Sequence, residues 1–219
     1  MSLIDNIKID GGLKTIEVLS DPYKKYRTLY FENNVDVRLC TKNGNTTLRS
    51  IWSQLNYNTT ENCYTNLRKA LYEKNREVDK IEDTNYIFRR NSYRIAVKRD
   101  PIERALSASK EVLKQRLNIL DPTLETVEEL LLNCDPNLDH HFLSQTYWMG
   151  NAYDYDEIYG VQDLDKLVKW LEEDYNYPYR ITDNHMNKSP SKIKVTDLSR
   201  KVIDHVYETY EIDYRNGWF

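Results

Sequence analysis

Three short runs constrain this chain most: "VDVRLC" at 35–40, "SYRIAVKRD" at 92–100 and "DEIYGVQ" at 156–162. Each is bounded by turn residues and reads as a strand. Between them apolar residues recur at helical spacing. Leu48, Ile51, Trp52 and Leu55 form one stripe, and Ile102, Ala105, Leu106, Leu113 and Leu117 a second. Leu164, Leu167, Val168 and Leu171 form a third, with Asp163 as its expected cap. A last helix is expected near 195–210. Strands alternating with helices predict an α/β fold with a central parallel sheet flanked by helices. In such sheets ligands bind beyond the carboxyl ends of the strands.

Around this framework the reading is simpler. Asp10-Gly11-Gly12 predicts the turn of a hairpin over 6–19, and residues 60–80 read as a polar helix. Pro101 suits the first position of a helix, and "TLETVEELLLN" reads as a short one. Residues 176–192 read as a long loop. The expected organisation is an N-terminal hairpin and extension, 1–34, packed on a single α/β domain, 35–219.

Of the 219 residues 40% are apolar and 30% charged, with a net charge of −4, as in a soluble globule. That balance argues against a general grip on nucleic acid. Local basic clusters persist, as at Arg89, Arg90, Arg94, Lys98 and Arg99. Cys40, Cys63 and Cys134 include no CxxC pair, so neither a disulfide framework nor a zinc site is expected. No signal peptide and no transmembrane segment are read, and a reducing, cytoplasmic setting is expected. Eighteen Tyr against four Phe reads first as a bias in codon usage, and second as a surface suited to sugar-like ligands.

Two turns at predicted strand ends carry the functional signal. The first is "TKNGNTT", with Lys42, Asn43, Gly44, Asn45, Thr46 and Thr47. Amide groups at a helix start favour an anion, and glycine allows close approach. Lys42 can add a point charge, and Thr46 and Thr47 hydroxyl donors. Alone, the turn also reads as an ordinary helix start capped by Asn45 or Thr46. A nucleoside triphosphate loop needs its lysine after the second glycine, directly before Ser or Thr. Here Lys42 precedes Gly44, so a P-loop kinase is the weaker alternative. The second turn is "VKRDPIERALSAS". Arg99 offers a planar fork suited to phosphate, and Ser107 a hydroxyl. A surface pairing of Arg99 with Asp100 or Glu103 is the other reading.

Together the two turns resemble the paired signature of sulfotransferases that use 3′-phosphoadenosine 5′-phosphosulfate (PAPS). The first is similar to that family's Pro-Lys-x-Gly-Thr-Thr phosphosulfate loop, with Thr41 in place of Pro and Asn45 in place of a small residue. The second resembles its Val-x-Arg-Asp-Pro-x-x-Arg-x-x-Ser motif, matched by Arg99, Asp100, Pro101, Arg104 and Ser107. "DHHFLSQ" at 139–145 is similar to the Asp-x-His-Trp-x-Pro-Gln segment of the carbohydrate, Golgi-type branch. "YDEIYGVQDL", "HMNKSP" and "VYETYEIDYRNGW" resemble further segments of that branch, in the same order. The resemblance spans roughly 35–219.

It implies a P-loop-like three-layer αβα fold and a sulfuryl transfer from PAPS that releases 3′-phosphoadenosine 5′-phosphate (PAP) and uses no metal. By the same resemblance Lys42 meets the leaving phosphate, and residues 43–47 cradle it. Arg99 and Ser107 hold the 3′-phosphate, and Lys188 and Ser189 touch the donor. His141 is the candidate base, oriented by Asp139, or else a brace of the site wall. His185, Glu61 and Glu73 are lesser candidates for the base, and His205 reads as structural. The expected acceptor is a saccharide or glycolipid head group, ahead of a small metabolite or a tyrosine-bearing peptide. Trp52, Trp148 and the tyrosines at 153–159 are candidates to stack on it. A PAP-binding protein without transferase activity stays open as an alternative.

Overall fold

The computed structural model describes residues 28–31, 33–57, 88–89, 91–133, 139–175 and 192–219. The expected hairpin at 6–19, helix at 60–80 and loop at 176–191 lie outside the described residues. The chain divides into two compact units, each with its own apolar core. Among the described residues no helix is long and apolar enough to cross a membrane.

The first unit is α/β and holds a four-stranded, mostly parallel sheet in the order β1-β2-β3-β4. Its strands are β1 (Thr28–Tyr30), β2 (Val35–Arg38), β3 (Tyr93–Lys98) and β4 (Glu157–Gly160). β2, β3 and β4 run parallel, in register Val37↔Ile95 and Val97↔Tyr159. The three strands expected from the sequence are parallel, and at one edge β1 adds an antiparallel strand to β2. Asn33 and Asn34 close that hairpin at φ 46° and 61°, a region asparagine tolerates better than most residues. The strands are also shorter than their apolar runs. Chain reversal at Thr41 ends β2, and a 3₁₀ turn at Val161–Asp163 ends β4.

Among the described residues two helices pack in this unit, α1 (Asn45–Tyr57) after β2 and, counted later in the chain, α5 (Leu164–Tyr175) after β4. Leu48, Ile51 and Trp52 of α1 and Leu164, Leu167 and Leu171 of α5 join Val35, Val37, Ile95 and Val97 in one core. Each such side chain contributes about 1.5–3 kcal/mol by leaving water. Asp163 does not stand outside its helix as a cap. It closes the 3₁₀ turn, and its carboxylate meets Lys166 Nζ at 2.7 Å.

Period-two alternation puts Asp36 and Arg38 on the opposite face of β2, yet both are fully buried. Both make hydrogen bonds there, as buried polar groups must. Asp36 accepts from Arg89 N at 2.7 Å and Arg89 Nε at 2.6 Å. Arg38 donates to Thr28 Oγ1, its cross-strand neighbour, at 2.8 Å. Burial lowers the Arg38 pKa to about 10.

The second unit is helical. It contains α2 (Pro101–Leu117), α3 (Leu124–Leu132), α4 (Gln145–Met149), α6 (Arg200–Thr209) and α7 (Glu211–Arg215). Asp100 caps α2, its Oδ1 accepting from Ile102 N and Glu103 N, and Pro101 takes the first position. Thr123 caps α3 through Thr126 N. The core joins Leu106, Val112 and Leu113 of α2 to Val127, Leu130 and Leu131 of α3 and Val202 and Val206 of α6. α6 begins at Arg200 rather than near 195, because Val195–Asp197 winds as a separate 3₁₀ turn.

Candidate functional site

In the sheet unit, the loop from β2 to α1 is built around two left-handed residues. Lys42 has φ 66° and Gly44 φ 77°, while Asn43 between them has an ordinary negative φ. Alternation of handedness along a turn is a pattern that builds anion-binding concavities in proteins, although here the Asn43 N–H is spent on Cys40 O. Leu48 N donates to Gly44 O at 2.9 Å, so Gly44 itself is the capping residue of α1. This corrects the cap expected at Asn45 or Thr46, which instead occupy the first helical turn. The N–H groups of that turn precede the first intrahelical partner. No acidic side chain stands in it. A Cβ on Gly44 would lie 2.9 Å from Leu164 Cδ1, so glycine is required for space as well as conformation.

Other members of the loop hold it in place. Asn43 is fully buried, donates Nδ2 to Val97 O at 2.8 Å and its N–H to Cys40 O at 3.2 Å. It braces the loop against β3, and its amide is already engaged. Thr41 is 4% exposed, and among the described residues its Oγ1 meets no hydrogen-bond partner. Asn45 Oδ1 is likewise shielded and unbonded. Two unsatisfied polar atoms on one short turn suit a polar ligand.

In the helical unit, Arg99 directly precedes the Asp100 cap. Its N–H donates to Gln145 Oε1 at 3.0 Å, and its Nε meets Glu103 Oε2 at 3.4 Å. That ion pair is solvent-exposed on the Glu103 side and weak. Ser107 lies two turns along α2, half-buried. Spacing of three and four residues puts Glu103, Ser107 and Lys110 along one face. Burial and, after it, the Arg99 guanidinium lower the Lys110 pKa. Lys110 Nζ donates to Ile193 O at 2.7 Å. Two cations and a hydroxyl thus accompany α2, and Lys110 was not among the residues singled out from the sequence.

Arg104, the other arginine of the same motif, is fully buried and stacks 4.7 Å from the Tyr210 ring centroid. It donates to Leu143 O at 2.7 Å, and Tyr210 OH donates to Phe142 O at 2.7 Å. Both therefore secure the 3₁₀ turn His140–Phe142, which carries His141.

There Asp139 and His141 form a dyad. Asp139 Oδ1 lies 2.6 Å from His141 Nδ1 and accepts from His141 N at 2.9 Å. Arg116 approaches Asp139 Oδ2 at 3.3 Å, and the His140 ring lies 4.0 Å from that of His141. Burial would raise the Asp139 pKa, but His141 and then His140 hold it well below the usual carboxylate range. An ionised carboxylate accepts, so the hydrogen between the two lies on Nδ1 of His141. Asp139, His140 and His141 are also a geometrically possible metal cluster. A cation bound to both Oδ1 and Nδ1 at about 2.0–2.2 Å would require the 2.6 Å hydrogen bond to open. The arrangement holds the His141 ring in one orientation against Asp139.

Several expectations resolve differently. Trp52 and Trp148 are each 1% exposed, so neither can stack on a sugar; Trp52 Nε1 donates to Tyr30 O at 2.9 Å. Tyr159 is buried in the sheet core, whereas Tyr153 is exposed. His205 lies within α6. Lys188, Ser189, His185, Glu61 and Glu73 lie outside the described residues, as do Cys63 and Cys134.

No family model matches this chain, and no curated protein and no solved structure gives a significant match.

Proposed function

We propose that this chain is a PAPS-dependent sulfotransferase that moves a sulfuryl group to an acceptor hydroxyl on a saccharide or glycolipid and releases PAP. The reading takes its fold to be P-loop-like and three-layered, and its setting to be cytoplasmic. The observation that carries it is the loop from β2 to α1, with left-handed Lys42 and Gly44 leading into a helix start free of acidic side chains. Support for a second phosphate comes from Arg99 just ahead of α2 and from Ser107 and Lys110 on it.

In this reading the loop amides and the hydroxyls of Thr46 and Thr47 bind the 5′-phosphate end, and Lys42 neutralises charge as that phosphate leaves. Arg99 and Ser107 bind the 3′-phosphate. His141 Nε2 takes the acceptor hydroxyl's proton while Asp139 stabilises the imidazolium. The acceptor oxygen bonds to sulfur as the bond from sulfur to the phosphate oxygen breaks, and that oxygen keeps the electron pair. Positioning and charge stabilisation supply most of the acceleration, as in phosphoryl transfer.

A thermal-shift series with PAP, AMP and magnesium-ATP tests donor recognition. PAP should stabilise the protein most, and Arg99→Ala should abolish its advantage over AMP. Stronger stabilisation by magnesium-ATP would overturn the reading. Transfer of labelled sulfate to a glycan panel tests the chemistry, with Lys42→Ala and His141→Ala each expected to lower turnover about 100-fold or more. PAP binding with no transfer to any acceptor would reduce the protein to a binding module.

A further inference from the structure

Arg99 is held at its backbone by a chain of contacts that starts at α7. Past the end of β3 its N–H donates to Gln145 Oε1 at 3.0 Å. Gln145 is fully buried at the first position of α4. Its own N–H donates to Asp213 Oδ2 at 3.0 Å, and Thr146 N donates to Asp213 Oδ1 at 2.7 Å. Asp213 is itself fully buried, and no cation pairs with it among the described residues.

A buried carboxylate without a counter-charge is costly unless hydrogen bonds satisfy it. Here both oxygens are spent on the first two amides of a five-residue helix. Ser144 already caps that helix, accepting from Tyr147 N at 2.9 Å. The carboxylate therefore adds more than a cap: it fixes where Gln145 begins. The surrounding chain is latched as well. Trp218 Nε1 donates to Gly150 O at 2.9 Å, Ala152 N to Asn216 O at 3.0 Å, and Trp218 N to Asp213 O at 3.0 Å.

We propose that Gln145, set by Asp213, is the positioning residue for Arg99, so that selectivity for a 3′-phosphorylated nucleotide depends on it. The inference rests on the sulfotransferase reading. A guanidinium fork recognises phosphate only within a narrow geometry, so freedom at its root lowers the population of the binding arrangement.

The test compares dissociation constants for PAP and AMP, which differ only by the 3′-phosphate, in the full-length protein and in Gln145→Met, Asp213→Asn and Arg99→Ala. Gln145→Met keeps the volume and removes the acceptor. The wild type should prefer PAP, and Arg99→Ala should erase the preference. Gln145→Met should reduce it about tenfold with AMP affinity unchanged, and Asp213→Asn should reduce it less. Hydrogen exchange at the Arg99 amide in the ligand-free protein should quicken in Gln145→Met, a readout that stands if a variant is marginally folded. A wild type without preference for PAP overturns the sulfotransferase reading and this inference with it. A wild-type preference that Gln145→Met retains, or an Arg99 amide whose exchange does not change, overturns the inference alone.

Discussion

Gly44 and Asp139 do their work through single atoms. At Gly44 the missing Cβ matters twice, for φ 77° and for the 2.9 Å approach to Leu164 Cδ1. Gly44→Ala should cost roughly 1–3 kcal/mol, read from urea unfolding, and should weaken anion binding at the loop. Asp139 has its pKa depressed by His141 and His140 against the opposing effect of burial. A carboxyl with a folded-state pKa below its unfolded value of about 3.9 stabilises the fold above that pH. The contribution is lost as pH falls through the folded value. Asp139→Asn should therefore be less stable than wild type by about 1–3 kcal/mol at pH 6–7, with the gap closing below about pH 4. Urea unfolding across that range checks it. Turnover should fall by roughly 100-fold or more if His141 is the base. Lys42 and Gly44 are legible as an unusual turn between a strand and a helix, whereas His141 stands out only through the resemblance of "DHHFLSQ" to a family segment. Gln145 and Asp213 were quoted within motifs, but nothing in their spacing announces that one carboxylate seats the other's amide. That pairing is a tertiary fact, and so is the burial of Trp52 and Trp148.

At the scale of elements, helix starts in this chain are specified by local chemistry, and that is why they could be read in advance. Asp100-Pro101 and Thr123 cap α2 and α3 as their types suggest. Asp100→Ala should lower stability by about 0.5–2 kcal/mol, measured by chemical denaturation, because Ile102 N and Glu103 N lose their acceptor. The starts that misled are those set by the chain outside the helix. α1 takes glycine as its cap because the preceding turn demands a left-handed residue. α5 follows a 3₁₀ turn without a break, so Asp163 never becomes a cap. The antiparallel edge strand β1 escaped notice because three residues are too few to show a period. Its register depends on the two left-handed asparagines and on Arg38 reaching Thr28.

For the whole molecule, the α/β class followed from alternating periods, but the division into two units did not. Each unit draws on separated stretches of chain, and the boundary falls between Lys98 and Arg99, inside one continuous motif. A linear reading treats "VKRDP" as one turn. Ligand linkage gives a global measure of the functional reading. PAP at 100 times its dissociation constant should raise unfolding free energy by about 2.7 kcal/mol, whereas AMP at the same concentration should give less. A concentration series of melting temperatures checks both.

The contacts that run from Asp213 through Gln145 to Arg99 also impose an order in time. A ribosome delivers Arg99 well before Asp213, by on the order of ten seconds at ordinary elongation rates. Throughout that interval α2 can wind, because its Asp100 cap and proline are local. The backbone ahead of it has no acceptor yet for the Arg99 amide. A nascent chain arrested before Asp213 would therefore display α2 without the register of its leading arginine, so the placement of Arg99 would be among the last features the chain acquires during synthesis.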